Sequence, residues 1–226
     1  MKIWNTLSLS LLFVAIVSLP LQAQKWNKQS VTGEGSSVTK TLNIDNFHSI
    51  GVALNAEVIL TQGSSQSVTV RGQQNIIDIL EKEVDGGSWD IGFPSNYRVK
   101  NYDKLTINIT MPSFKNLAIA GTGRIVTDSD FNSLGNVGMS IAGSGSIAVS
   151  GAAKDVHLEI SGSGAINVAN LSSSDCEVSI AGSGDCKVNV NGKLDVSIAG
   201  SGSVQYKGSP SVSSSIAGSG RVRSMK

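Results

Sequence analysis

Residues 176–190 read CEVSIAGSGDCKVNV. Apolar side chains fall at Cys176, Val178 and Ile180, then at Cys186, Val188 and Val190, with polar residues between them. Such alternation on both sides of a Gly-Ser-Gly tetrad describes two strands, each with one buried face, joined at a corner. The motif recurs as AIAGTGRI at 118–125, SIAGSGSI at 140–147, EISGSGAI at 159–166, SIAGSGDC at 179–186, SIAGSGSV at 197–204 and SIAGSGRV at 215–222. The first glycines, Gly121, Gly143, Gly162, Gly182, Gly200 and Gly218, are spaced by 22, 19, 20, 18 and 18 residues. A period near 20 is the mark of a solenoid, one coil per repeat.

A chain of hairpins is the rival geometry, with each motif pairing its own flanks. Stacked coils instead pair each strand with its equivalent one repeat away. Only the second requires equal positions to meet equal neighbours, and so explains a repeat kept in register. Aligned this way, Ile119, Ile141, Ile160, Ile180, Ile198 and Ile216 form one interior column. Ile125, Ile147, Ile166, Cys186, Val204 and Val222 form another. The predicted fold is all-β. It is a right-handed parallel β-helix or solenoid with about six short coils in the C-terminal half, continued by a β-rich N-terminal half. At about 4.8 Å per coil the repeats would stack over roughly 25–30 Å.

The tetrad itself has a structural reading. Glycine at both corner positions permits positive φ and close approach between coils. The residue between can hydrogen-bond local backbone. A phosphate cradle would need a helix after the glycines, but a β-branched strand follows each one. A ligand role for the row Thr122, Ser144, Ser163, Ser183, Ser201 and Ser219 is the weaker reading. Cys176 and Cys186 both fall on interior columns, at different distances from the corner. The offset of roughly 10 Å exceeds what a disulfide spans, so both are expected to be buried free thiols.

Residues 1–23 read as a secretory signal peptide: Lys2, an apolar run over Leu7–Val17, and Leu21-Gln22-Ala23 at the cut. The run is short for a membrane span, and no cysteine lies near the cut to anchor a lipid. Residues 24–37 are expected to be a flexible lead. Residues 38–226 form the domain, with an N-terminal half over 38–115 and the repeats over 116–226. In the first half, AEVILTQG (56–63), SVTVRG (67–72), SWDIGF (88–93) and KLTINITM (104–111) alternate as strands. Gly63, Gly72 and Gly86-Gly87 punctuate them, and Pro94 and Pro112 end strands. NIIDILEKEV at 75–84 is the one candidate helix. This half is expected to start the solenoid and cover its first edge.

The repeated IAGSGSI, together with VILTQGSSQSVTVRG, GGSWDIGF and KLTINITMPSFKNLAIAGTGRI, resembles the head GIN domain family over about residues 40–222. The resemblance implies an exported Bacteroidetes β-solenoid of the kind named as auto-transporter adhesin heads. It implies no established enzymatic activity and no catalytic residues to carry over.

The composition narrows the function further. Charged residues are 15% of the chain and the net charge is +1, which argues against a nucleic-acid partner. Only His48 and His157 are available as imidazole bases, and no HExxH, Cys-His cluster or EF-hand pattern occurs. Asp45, Asp90 and Asp103 are isolated, so no carboxylate pair is placed for glycoside hydrolysis. No catalytic, cofactor-binding or metal-ligating residue is assigned, and no cofactor is expected.

Before the corner, Asp155, His157, Glu159, Asp175, Glu177 and Asp195 stack outward beside Lys193. The row Asp155, Glu159, Asp175 and Glu177 could take Ca²⁺, although a solvated face is the preferred reading. After the corner, Arg124, Lys187, Lys207, Arg221 and Arg223 face out, offset by Asp128 and Asp185. The two faces should therefore differ in sign, which could steer an encounter with a charged glycan or another subunit. Trp89, Tyr97 and Tyr102 could make a sugar-stacking platform, although core or edge packing is preferred.

The expected function is an exported, non-catalytic binding or adhesion module. The alternatives are a self-assembling envelope protein that pairs through an open solenoid edge, or a polysaccharide lyase-like β-helix enzyme. A cell-surface glycan or an envelope protein is the expected partner. The expected location is the periplasm, the cell surface or the medium.

Overall fold

The computed structural model describes residues 28–225. The expected signal peptide and residues 24–27 lie outside them. The chain is 66% strand and 3% helix, and the described strands form two large stacked sheets and one separate two-stranded pair.

Sheet I has nine strands. In spatial order they are Ser211–Gly218, Lys193–Gly200, Asp175–Gly182, Asp155–Gly162, Val137–Gly143, Asn116–Gly121, Ser49–Val52, Ser88–Ile91 and Val84–Asp85. Sheet II has eleven. It runs from Arg221–Ser224 through Ser203–Lys207, Asp185–Val190, Ala165–Ser173, Ser146–Ala153, Arg124–Thr127, Ala56–Gln62 and Leu105–Met111 to Ser67–Gln73 and Ser37–Leu42, with Phe131–Leu134 beside Ser146–Ala153. From Leu105–Met111 to the C-terminal end every pair in sheet II is parallel. No octet closes a hairpin. Each one carries the chain from sheet I to sheet II, as the stacked-coil reading requires.

Sheet I is the regular face. Its registers run unbroken from Asn116 to Gly218, aligning Ile119, Ile141, Ile160, Ile180, Ile198 and Ile216. The uneven repeat spacing is absorbed in sheet II, where the register slips between Ala148 and Ser150 and between Asn167 and Ser172. The interior columns are nearly water-free, from Ile119 to Ile198 on one side and Ile125 to Val204 on the other. Burying one such side chain is worth about 1.5–3 kcal/mol.

The two corner glycines do different work. The first of each pair has positive φ, +128° at Gly182. A Cβ there would also lie 2.4 Å from the Gly162 carbonyl oxygen of the preceding coil. The second needs only space, since a Cβ at Gly184 would lie 2.5 Å from Ile160 Cγ2. Expected side-chain bonds do not close the corner. Instead the Ser183 backbone N–H donates to the Gly162 oxygen at 2.8 Å, and the same bond recurs from Ser144, Ser163, Ser201 and Ser219. The serine side chains stay exposed.

The N-terminal half continues the stack, but not in chain order. The coil holding Ser49–Val52 and Ala56–Gln62 lies between the Asn116 coil and the coil holding Ser88–Ile91 and Leu105–Met111. The chain therefore steps outward past its own first coil and returns. Antiparallel strands Ser67–Gln73 and Ser37–Leu42 extend sheet II beyond this point. In sheet I, Gly86 and Gly87, both at positive φ, turn Val84–Asp85 back onto Ser88–Ile91.

The helix covers only Gln74–Asp78, with Ile76 and Ile77 buried. It stops short of Val84 because Glu81 is held elsewhere. The Glu81 N–H bonds the Gly92 oxygen at 3.0 Å, and its carbonyl accepts the Trp89 indole N–H at 3.1 Å. Residues 28–37, expected as part of a flexible lead, instead hold the strand Gln29–Thr32, paired in parallel with Tyr97–Lys100.

Candidate functional site

Alternation along sheet I sends every second residue to the outer face. The parallel registers then line those residues up from strand to strand. One outward row is Ala120, Ala142, Ser161, Ala181, Ala199 and Ala217. The next is Ala118, Ser140, Glu159, Ser179, Ser197 and Ser215, and the third is Asn116, Gly138, His157, Glu177, Asp195 and Ser213. On the strands Asn116–Gly121 and Val137–Gly143 almost all these side chains are short. Longer ones stand on both sides: His157, Glu159 and Glu177 toward the C-terminal end, and Asp90 toward the other.

The result is a shallow trough across the outer face. A concavity of about 670 Å³ lies over Ala118, Ala120, Ser140 and Ala142, with Asp90 and Glu159 at its borders. A second, of about 490 Å³, lies over Gly138 and Val156 beside Asp155, His157, Asp175 and Glu177. A smaller depression bordered by Asn116, Ser140, His157 and Glu159 joins them. The floor is mostly Cβ and backbone, while the rim carries carboxylates, an amide and an imidazole.

The acidic row lies on this face as expected, but it does not form a cage. Glu159 and Glu177 are turned to His157, whose Nε2 is 3.1 Å from Glu159 Oε1 and whose Nδ1 is 3.3 Å from Glu177 Oε2. Lys193 is paired with Asp195 at 2.5 Å. The Lys193 ammonium is held above its ordinary pKa, first by that hydrogen bond and then by the charge of Asp195. Among the described residues no three His, Cys, Asp or Glu side chains converge as metal ligands.

The basic residues Arg124, Lys187, Lys207, Arg221 and Arg223 are exposed on sheet II, so the two faces differ in sign. Arg124 is offset by Glu57, 3.3 Å away.

The aromatic platform does not form. Trp89 is fully buried against Phe47, with ring centroids 5.5 Å apart. It sits on the inward side of its strand opposite Ile50 and belongs to the core. Tyr102 packs edge-on against Phe93 at 5.6 Å.

Both cysteines are free and buried. Desolvation first, then the nearby Glu177, raises the Cys176 thiol pKa to about 12. Burial pushes Cys186 up in the same direction. His48 touches a hydroxyl, with its Nδ1 3.1 Å from Ser49 Oγ. That serine is its chain neighbour, is buried, and also accepts a bond from Asn116. The contact seats the start of a coil.

Two mostly parallel sheets closed by stacked glycine corners, with one regular face left as a trough that has a small-residue floor and a polar rim, define a two-sheet β-solenoid. The chain belongs to the family described as "Putative auto-transporter adhesin, head GIN domain", which matches residues 46–210. Among solved structures it is similar to a "putative adhesin" from Bacteroides fragilis, at 22% identity and a TM-score of 0.72, covering 86% of this chain and 100% of that one. A "putative adhesin" from Parabacteroides distasonis is similar at 20% identity and a TM-score of 0.62, covering 87% and 100%. A "putative lipid binding protein" from the same species matches at 24% identity and a TM-score of 0.55, covering 88% and 100%. At these identities the likeness is one of fold. No curated protein matches the chain.

Proposed function

We propose that this protein is an exported, non-catalytic adhesion module that holds a surface glycan along the outer face of sheet I. The observation that carries the reading is the trough. It spans several strands, its floor of alanine, glycine and serine admits a ligand close to the backbone, and its rim supplies hydrogen-bonding groups at Asp90, Asn116, His157 and Glu159. A chain of hydroxyl-bearing units fits such a surface better than a compact substrate, which is usually held in an enclosed pocket. The same openness disfavours an acyl chain, which gains most when water is removed from all sides. The family's description as an adhesin head supports the reading.

The test is binding of the folded protein to a glycan array and to intact bacterial and host cells. Ala142→Arg and Ser161→Arg fill the trough from exposed positions and leave the core untouched. Binding that falls at least about tenfold in both variants supports the assignment. Wild-type protein that binds nothing, or variants that bind as wild type does, would refute it. Surface proteolysis of intact cells tests the export half, and a protein protected in the cytoplasm would end it.

A further inference from the structure

The outward rows of sheet II form a second organised surface, on the side of the molecule away from the trough. Along Asp185–Val190, Ser203–Lys207 and Arg221–Ser224 the parallel registers set Asp185, Ser203 and Arg221 in one row and Lys187, Gln205 and Arg223 in the next. Lys207 stands one row further on, beside Asn189. Lys187, Lys207, Arg221 and Arg223 are all exposed. Their direction is set by strand parity, since Cys186, Val204 and Val222 between them pack toward the interior. With strands about 4.8 Å apart and about 6.6 Å between alternate residues, the four cations fall within an area of roughly 10 by 13 Å.

These four charges are not met within the chain. Elsewhere cations and carboxylates lie together: Arg124 and Lys104 are each 3.3 Å from Glu57, Lys154 is 3.4 Å from Asp155, and Lys193 pairs with Asp195. Among the described residues none of Lys187, Lys207, Arg221 and Arg223 forms an ion pair. Asp185 is the one carboxylate on these three strands, so the patch keeps a net positive charge. A chain whose net charge is only +1 thus separates its charges, acidic over sheet I and basic over these strands of sheet II. The patch has no walls. Ser203 and Gln205 lie between the cations, and the depression of about 130 Å³ around Thr127, Ser150 and Asn170 lies outside it.

We propose that this face seats the protein on an anionic lipid surface, with the four cations against headgroup phosphates and the trough turned outward. A small soluble anion needs a concave site with converging groups, whereas these cations point the same way from an unwalled sheet. Phosphates spread over a bilayer match that geometry, being planar, negative and contacted several at a time. A soluble acidic polymer offers its charges along a line, and the patch extends in two directions, across three strands and over three rows. Acyl chains take no part, because Ser203 and Gln205 between the cations give nothing apolar to insert. Each Lys or Arg near such a surface is worth about fivefold in partitioning, so the patch, less Asp185, gives on the order of a hundredfold. The attraction reaches only about 8–10 Å at moderate salt, which makes the seat reversible and specific to the face that carries it. It leaves the trough open on the other side and does not depend on what the trough holds.

Co-sedimentation of the folded chain with vesicles tests this, comparing phosphatidylcholine alone with an equimolar mixture of phosphatidylcholine and phosphatidylglycerol. At low ionic strength the mixed vesicles are expected to bind on the order of a hundredfold more tightly than the neutral ones, and added salt should release the protein. Arg223→Gln should weaken binding about fivefold, and Arg221→Gln combined with Arg223→Gln about twentyfold, with melting temperatures unchanged because both side chains are exposed. Lys193→Gln removes the same charge from sheet I and should leave vesicle binding as it is. The native thiols are buried, so a polarity-sensitive fluorophore can be placed on Ala165→Cys, exposed on sheet II, or on Ser197→Cys, exposed on sheet I. The first should respond to mixed vesicles and the second should not. Equal binding to neutral vesicles, an equal loss in Lys193→Gln, or a response from Ser197→Cys in place of Ala165→Cys would each overturn the proposal. Tighter binding to soluble polygalacturonate than to the mixed vesicles would overturn it as well, and would assign the face to an acidic polymer.

Discussion

The corner geometry makes a graded prediction for alanine substitutions. Gly182→Ala meets two penalties. Its φ of +128° is disfavoured for any residue with a side chain, at about 1–3 kcal/mol. Its new methyl would also lie 2.4 Å from a backbone oxygen one coil away. Relieving that overlap means spreading the stack, at about 1–3 kcal/mol more. Gly121→Ala isolates the first penalty, because its φ is +114° and nothing lies within 4 Å of the added carbon. Gly184→Ala isolates the second, against Ile160 Cγ2 at 2.5 Å and the Gly164 oxygen at 2.8 Å. Ser183→Ala should cost under about 0.5 kcal/mol, since the corner bond comes from its backbone and not its hydroxyl. For a domain of this size 1 kcal/mol moves the melting temperature by about 2–4 °C. Gly182→Ala should thus melt on the order of 5–20 °C below wild type, with Gly121→Ala and Gly184→Ala at roughly half that loss. Differential scanning calorimetry of the four variants under identical conditions gives the ranking. If Gly182→Ala melted no lower than Gly121→Ala, the coils would not be in the close contact on which the fold rests.

Other expectations follow from burial. Ile160→Ala should destabilise by about 2–5 kcal/mol in urea unfolding. Ile216→Ala should cost far less, because Ile216 is 41% accessible where Ile160 is buried; equal losses would contradict that difference. Cys176 and Cys186 should not react with a thiol reagent in the native state and should both react in denaturant, and fast native labelling would contradict their burial. Their raised pKa values have a sign that pH can test. The neutral thiols favour folding below pH about 9, and the folded state retains protons that the unfolded state loses as pH rises further, so stability falls between about pH 9 and 12. Replacing both by valine should flatten that alkaline loss of melting temperature. An unchanged slope would mean other groups cause it.

The stacked coils were legible because equal residues recur at equal positions. Ile119 through Ile216 announce a column, and the glycine pairs announce where it bends. The position of the thiols and the opposite signs of the two faces follow from the same register. Three features were not legible, each for a physical reason. The early end of the helix has no local signal, because it depends on Trp89, which packs in the core as preferred and donates its indole N–H to the Glu81 carbonyl. The out-of-order first coil leaves no local signal, because the strands of both coils have the same alternation and only the pairing of Ser49–Val52 with both Asn116–Gly121 and Ser88–Ile91 reveals it. The trough was hidden because it is made by what is missing. Gly138, Ala118 and Ala142 are unremarkable one at a time, and they become a floor only when parallel registers place them side by side.

The division of labour between columns bears on how such a chain can change its ligand. Inward positions are fixed by packing, where a lost methylene or an added one is felt at once. Corner positions are fixed by backbone conformation and by the oxygen of the coil before. Outward positions on sheet I are bound by neither constraint, because their neighbours on the face are solvent and other outward side chains. A substitution there alters the trough and leaves the stack unchanged. Of the two sheets, sheet I alone keeps its registers unbroken through the repeats, while sheet II takes up the insertions at Ala148–Ser150 and Asn167–Ser172. Length variation is thereby confined to the face away from the trough, and the trough keeps a constant spacing of rows along which a repeating ligand can be matched.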